Sequence, residues 1–535
     1  MIVFVTLFRE GFKMVYGMEI NDGLKSSELR SITEGNGVKK EYMRLIKCTL
    51  SICPECLTKI EARVFTEDGK VFIEKKCPSH GIFKDMYWSD AELYEKFEAY
   101  HVLGKGVSNP LVMGTDHFLD CGLCHNHETS TILANIDVTN RCNLNCPVCF
   151  ANARKSGLIY EPDIEQIKKM LIMLKNEKPV PCYAVQFSGG EPTVRDDLPE
   201  IIGMAKDLDF QHLQIATNGV RLAQDVDFAR TLRESGLHTV YLSFDGIGEE
   251  PYRKMRGFNA FPMKNTAIRN CREAGLTSVV LVPTLEKGVN DHQIGDILNF
   301  ASERLDVVKG VNFQPVAFTG RIDQSERESK RLTIPDFLML VEEQTGGNIC
   351  RDDWYPIPVA VSVSRFMEAV FNRSMPEFSI HPHCGAATYV FKKGNELIPI
   401  TRFVDVDGLL GHLDDMTAQI NDARSQIKKA VLIRKALHEI PNFIDQKAAP
   451  LSIDVTRLIM EFFNKGTSEA LRPFHRNSLF LGAMHFQDYY NFDYERVQRC
   501  GIHYATPDGR VIPFCAYNTI HRQKVEAKFS KPYNA

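Results

Sequence analysis

No uncharged apolar run in the sequence reaches the roughly 20 residues that a membrane-spanning helix needs, which excludes an integral membrane protein. There is no imbalance of charge either: 64 Lys and Arg stand against 68 Asp and Glu, leaving a formal charge of -4. A nucleic-acid binder would want a basic face, so that class of partner is set aside. Internal repeats and low-complexity tracts are missing, and the apolar fraction of 44% is that of a globular protein rather than a disordered one. The opening MIVFVTLFREGFKMVYG is a poor export signal. Its apolar stretch is short, Arg9, Glu10 and Lys13 interrupt it, and no small-residue cleavage site follows. At 535 residues the chain is too long for one core, and two to four domains are expected.

Cysteine is not scarce. Fifteen are present, and without an export signal they read as metal ligands rather than disulfides. Cys48, Cys182 and Cys271 stand apart from the groups and are expected to be small buried hydrophobes.

The middle third alternates apolar strand-like runs with helical patterns. The runs are 132–138, 183–188, 213–217, 239–244, 278–284 and 311–316, with helices such as 162–177 and 291–305 between them. This predicts an α/β fold, a partial (β/α)6 TIM-like barrel, whose chemistry sits at the C-terminal strand ends. CNLNCPVC, SGGEPT, TNG, SFDG, the Pro283–Thr284 pair and Gln314–Pro315 each close one of those strands, so all six fall on one rim. Upstream, residues 48–128 read as a small metal-nucleated domain after an N-terminal extension, 1–47. The barrel takes 129–325, and 326–535 follow as a C-terminal domain with amphipathic helices at 413–440 and 454–466.

Cys142, Cys146 and Cys149 lie within eight residues. A structural zinc site wants four protein ligands. Thiolates suit iron–sulfur clusters, and a [4Fe–4S] cube on three cysteines keeps one iron free for a small chelating molecule. The knuckles ICPEC and DCGLC flank KKCPSHG. Two pairings are open: Cys53, Cys56, Cys121 and Cys124 as a rubredoxin-type iron or a zinc ribbon, or Cys53, Cys56, Cys77 and His80 as one site with Cys121 and Cys124 left for another. His125 and His127 are further candidates, and iron and zinc both accept such ligands.

C-x3-C-x2-C with a following aromatic at the end of a first barrel strand, joined by SGGEP at 188–192, resembles the radical S-adenosylmethionine enzymes. The resemblance implies that Cys142, Cys146 and Cys149 hold the cluster, and that Phe150 lies near the adenine. It gives Gly189, Gly190 and Glu191 the methionine end of S-adenosylmethionine, Asn218, Ser243 and Asp245 its ribose and carboxylate, and Gln314 the far rim. It also likens Cys384, Cys500 and Cys515, with Cys350, to an auxiliary [4Fe–4S] cluster in a C-terminal (SPASM/twitch-like) domain, with one or two such clusters in all.

The order CPEC, CPSHG, CGLCHNH, DVTNRCNLNCPVCFANA and FCAYN resembles the archaeal tetraether lipid synthases over nearly the whole chain. That likeness implies coupling of the terminal methyl carbons of two isoprenoid ether phospholipids, with electrons from a ferredoxin-type donor. A cytoplasmic protein touching the membrane surface is then expected, with a long apolar channel and a cationic mouth near Arg472, His475 and Arg476. The alternative is a radical methylase of a methanopterin precursor or another small heterocycle, which predicts a compact polar pocket instead. Radical modification of a peptide and a non-catalytic metal-stapled protein are the remaining readings.

Overall fold

The structure, a computed structural model, describes residues 43–109, 123–147, 149, 157–318, 322–394, 396–450, 457, 474 and 477–532. Cys121, Phe150, Arg472, His475, Arg476 and all of the expected helix 454–466 except Arg457 lie outside them.

The first unit is a four-stranded antiparallel sheet, Arg44–Ile52, Lys59–Glu67, Lys70–Cys77 and Gly81–Trp88, paired in chain order. Lys59–Glu67 alternates exposed and buried positions, as a half-buried strand must. The turn into the next strand is the two-residue Asp68–Gly69, with φ of 50° and 72°, the left-handed pair that matches hairpin twist. This sheet is bound to the C-terminal part of the chain. Buried Lys75 donates to the Tyr489 carbonyl at 2.6 Å, Ser51 to the Phe492 carbonyl at 2.6 Å, and the Tyr87 hydroxyl to Asp493 at 2.8 Å.

The six expected strands form as Leu133–Thr139, Ala184–Gly189, His212–Thr217, Thr239–Ser243, Val279–Val282 and Val308–Pro315, each parallel to the next. Helices separate them. Ile164–Lys175 begins on a capping box between Asp163 and Gln166 and buries Ile167, Met170, Leu171 and Leu174 on one face. Chain from the last third joins both sides of this sheet. Ile502–Ala505 pairs parallel with Leu133–Thr139, and Ser478–Met484 pairs parallel with Val308–Pro315. Gly385–Lys393 then adds antiparallel to Ser478–Met484. Sequence periodicity does not foresee this, because pairing partners that far apart in the chain leave no local pattern.

The stretch expected as one helix over 413–440 is two, Val406–Asp422 and Gln426–Glu439. The break falls where Ala423 turns extended and Ser425 caps the second helix by accepting from the Lys428 amide, a local bond that competes with helix continuation. Among the described residues no helix is long and apolar enough to cross a membrane.

Candidate functional site

One cavity of about 380 Å³ opens along the parallel strands. Its lining combines Cys142, Cys146 and Cys149 with Gly189, Gly190, Glu191, Asn218, Ser243 and Gln314, so residues from five separate strand ends meet around one space. Its volume lies within the ordinary range for a small-molecule site.

The two glycines are dictated by contact. A Cβ on Gly189, whose φ is +125°, would lie 2.0 Å from the Thr139 carbonyl oxygen, and one on Gly190 would lie 2.4 Å from that of Arg141. The Gly190 amide donates to Thr139 O and the Glu191 amide to Arg141 O, both at 2.8 Å. The SGGEP turn is thereby laced to the backbone that enters the cysteine loop. Buried Glu191 accepts from Thr193 N at 3.1 Å, Thr193 Oγ1 at 2.6 Å, Thr217 Oγ1 at 2.7 Å and Asn218 N at 2.7 Å. Burial still raises its carboxyl above the ordinary range. Lys264, also buried, donates to Asn218 O at 2.6 Å and Ser243 Oγ at 2.9 Å, and burial pulls its ammonium down to about 8.

The thiol end fits a metal cluster by its donor set. Burial pushes Cys142 up to about 11, with Glu191 and the charges of Cys149 and Cys146 adding to the effect. Soft thiols crowded closely enough to oppose each other's ionisation are what a cationic cluster relieves. Cys142 Sγ also accepts from Leu144 N at 3.4 Å. Asp245 does not line the cavity: it is wholly buried and grips Arg256.

In the N-terminal sheet the residues of the second pairing come together, while Cys121 of the first lies outside the described residues. Cys53, Cys56, Cys77 and His80 bring their ligand atoms within 4.8 Å of one another. Cys53 and Cys77 each approach His80 Nδ1 at 3.5 Å, and Cys56 stands 3.9 Å from Cys77. Hydrogen bonds from Thr58 lower the Cys56 thiol to about 6, which favours the metal-binding thiolate.

Cys384, Cys500 and Cys515 share another neighbourhood. Burial raises Cys500, and the charges of Cys515 and Cys384 raise it further, while Cys515 rises to about 11 by burial despite nearby Arg496. Arg496 Nε donates to Cys384 Sγ at 3.3 Å. Cys124 is buried in the turn that precedes His127, whose Nε2 lies 2.9 Å from the Cys500 carbonyl. Cys350 is engaged elsewhere, donating to Gly347 O and accepting from Arg402 Nη2, both at 3.2 Å. Cys182 and Cys271 are buried as expected, whereas Cys48 is exposed on an outward-facing strand position. Sequence reading missed a further trio, Glu98, His381 and His383, whose ligand atoms also gather within 4.8 Å. The string HPHC offered a signal, but its carboxylate comes from a distant helix.

Comparison with known proteins agrees with this geometry. Residues 136–301 match the radical SAM superfamily, and residues 45–89 match the HMPTM N-terminal zinc ribbon domain. The 7,8-dihydro-6-hydroxymethylpterin dimethyltransferase of Methanocaldococcus jannaschii is 51% identical over 490 residues, 91% of this chain and 96% of that protein. A probable GTP 3',8-cyclase of Methanothermobacter marburgensis is 32% identical over 34% of this chain and 56% of its own length. Among solved structures, Streptococcus suis SuiB bound to S-adenosylmethionine covers 41% of this chain and 48% of its own at 19% identity and a TM-score of 0.32. A radical SAM domain implies S-adenosylmethionine and a [4Fe–4S] cluster, and the Cys-rich ribbon fits a rubredoxin-like metal site.

The lipid reading is overturned. The relative that matches almost end to end carries the name of a pterin enzyme, so neither coupling of isoprenoid chains nor an ether-phospholipid partner stands. Asn135, Gln186, Gln214 and Asn312 are among the residues that line the cavity. The chain is a radical SAM enzyme, a member of the family of the Methanocaldococcus jannaschii 7,8-dihydro-6-hydroxymethylpterin dimethyltransferase.

Proposed function

We propose that this enzyme methylates a reduced pterin, the 5′-deoxyadenosyl radical serving to activate a C–H bond and the methyl group coming from a separate one-carbon donor. The match to a pterin dimethyltransferase over 91% of this chain carries the reading, and a cavity of about 380 Å³ lined in part by carboxamides supports it. The barrel itself belongs to the proposal: strands that all contribute to one cavity fit a partial (β/α)6 barrel over 129–325, with the ribbon in 48–128 and an auxiliary-cluster region in 326–535.

In this reading Cys142, Cys146 and Cys149 would hold the [4Fe–4S] cluster, which when bound would supply the electron for reductive cleavage of S-adenosylmethionine to methionine and a 5′-deoxyadenosyl radical. The rest falls to the chain. Gly189 and Gly190 let the SGGEP backbone approach closely enough to receive the methionine end. Glu191 is held rigidly by three donors on Oε1 and one on Oε2, which leaves one lone pair of Oε2 for an ammonium group. Lys264 holds Asn218 and Ser243 at the ribose side, and Gln314 faces them from the far rim. The enclosing strands keep water from a radical that would otherwise be quenched. Cys384, Cys500 and Cys515 are the auxiliary ligands, and Arg496 beside them stabilises thiolate charge.

Expression in an anaerobic bacterial host that makes 7,8-dihydro-6-hydroxymethylpterin, followed by mass spectrometry of the extracted pterins, tests the reading. Pterins heavier by one and two methyl groups are expected, and absent when Cys146 is changed to alanine. Unaltered pterins in cells containing the cluster-loaded protein would overturn it.

A further inference from the structure

Asn135, Gln186 and Gln214 are direct Cα partners on three adjacent parallel strands, so they form a row across the sheet. All three line the cavity. Residues two apart on a strand face the same way, which puts the row about 7 Å below the rim residue Ser188. The carboxamides are chained: Gln214 Nε2 donates to Gln186 Oε1 at 2.6 Å, and Gln186 Nε2 donates to Asn135 Oδ1 at 2.6 Å. His212 Nε2 lies 3.0 Å from Gln214 Oε1 and closes the outer end. The Asn135 end is left unsatisfied. Asn135 is 1% exposed, and its Nδ2 has no hydrogen-bond partner among the described residues.

An unpaired buried amide costs about 1–3 kcal/mol, which a ligand accepting from Asn135 would recover. Asn312, whose Nδ2 donates to the Tyr241 hydroxyl, lines the same cavity, as do Tyr241 itself and the aromatic residues Phe480 and Tyr504. The space therefore combines two sets of polar side chains with aromatic surface. That is the complement of a planar heterocycle with donors and acceptors on its rim.

We propose that the Asn135–Gln186–Gln214 row reads the lactam edge of the substrate ring, with Asn135 Nδ2 donating to the ring carbonyl, and that it sets specificity for a 4-oxo heterocycle. This rests on the pterin reading and names the residues that would enforce it.

The test is anaerobic titration of the cluster-loaded enzyme with 7,8-dihydro-6-hydroxymethylpterin and with a 2,4-diaminopteridine, which replaces the carbonyl acceptor by a donor. Wild type should favour the oxo compound. Asn135→Leu and Gln186→Leu should weaken it about 10- to 100-fold, the worth of one or two unpaired buried hydrogen-bonding groups. Asn135→Asp, which exchanges the donor for an acceptor, should turn the preference towards the diamino compound. The spectroscopic response of the reduced cluster to S-adenosylmethionine monitors folding, and the Asp variant carries the test if a Leu variant loses that response. Wild-type binding with unchanged affinity and preference in the variants overturns the row's role and leaves the pterin reading standing. A wild-type enzyme that binds neither compound overturns the pterin reading itself, and the row's assignment with it.

Discussion

Arg256 clasps Asp245 with two parallel hydrogen bonds, Nε to Oδ2 at 2.6 Å and Nη2 to Oδ1 at 2.7 Å. Asp245 is wholly buried, and its charge together with that of Cys146 raises the guanidinium further above its ordinary value, against the effect of burial. The pair thus braces a cation beside the cysteine loop.

Asp245→Asn removes the charge but keeps the shape, and it leaves Arg256 buried without its counterion. The loss of stability should be about 3–5 kcal/mol, measurable by denaturant unfolding of the cluster-loaded protein. The midpoint reduction potential of the cluster should also move, because the freed cation lies nearer Cys146. An unchanged potential together with unchanged stability would remove the bracing role.

Gly190→Ala places a methyl group 2.4 Å from a backbone carbonyl that cannot yield without moving the cysteine loop. Overpacking of this kind costs about 1–3 kcal/mol. Displacement of the turn by about an ångström should slow 5′-deoxyadenosine release on the order of 100-fold while the iron content is retained. Equal rates in variant and wild type would mean that the turn does not position S-adenosylmethionine.

Removal of metal from the ribbon should unfold it. The free energy of a structural metal site is also folding free energy, about 10 kcal/mol or more. His80→Ala should release one metal ion per chain and abolish amide protection across Lys59–Glu67 and Lys70–Cys77. Loosening should spread to Phe492 and Tyr489, whose carbonyls Ser51 and Lys75 hold. Retained protection would show that the ribbon is held by its core and those cross-links instead.

Glu177 gives a pH signature. Its Oε1 accepts from Thr131 N at 2.7 Å, Oε2 is buried without a partner, and burial raises the carboxyl from 4.5 to about 7. The folded state therefore binds its proton more tightly than the unfolded one. That contribution is complete below pH 4.5 and is lost as pH rises through about 7. Glu177→Gln should flatten the stability profile over this window and raise stability at pH 8 by up to about 3 kcal/mol. A profile of unchanged slope would contradict the assignment.

Much of this was legible from the residues. Strand positions between 132 and 316 were readable because a buried parallel strand must be continuously apolar, and the helices between them carry their own period and caps. The cysteine triplet and SGGEP were readable because the ligands and turn residues that the chemistry requires are close in sequence. Which cysteines come near one another was not. Cys53, Cys56, Cys77 and His80 meet only because the hairpin from Lys70 to Trp88 folds back on the first knuckle, and Cys384, Cys500 and Cys515 only because strands more than 100 residues apart pair with one sheet. The lipid reading failed for a related reason: motif order marks the cofactor chemistry that related enzymes share, while the substrate is chosen by side chains on separate strands.

The sequence by itself determined the strand–helix alternation, the cluster loop and the glycine turn, because each is set by contacts between near neighbours. Tertiary structure alone decided that Asp245 faces Arg256 rather than the cavity, that the ribbon closes on His80, and that three carboxamides from three strands form a continuous row. The row depends on sheet register, which aligns residues 28 to 51 positions apart and leaves no trace in any local stretch of the chain.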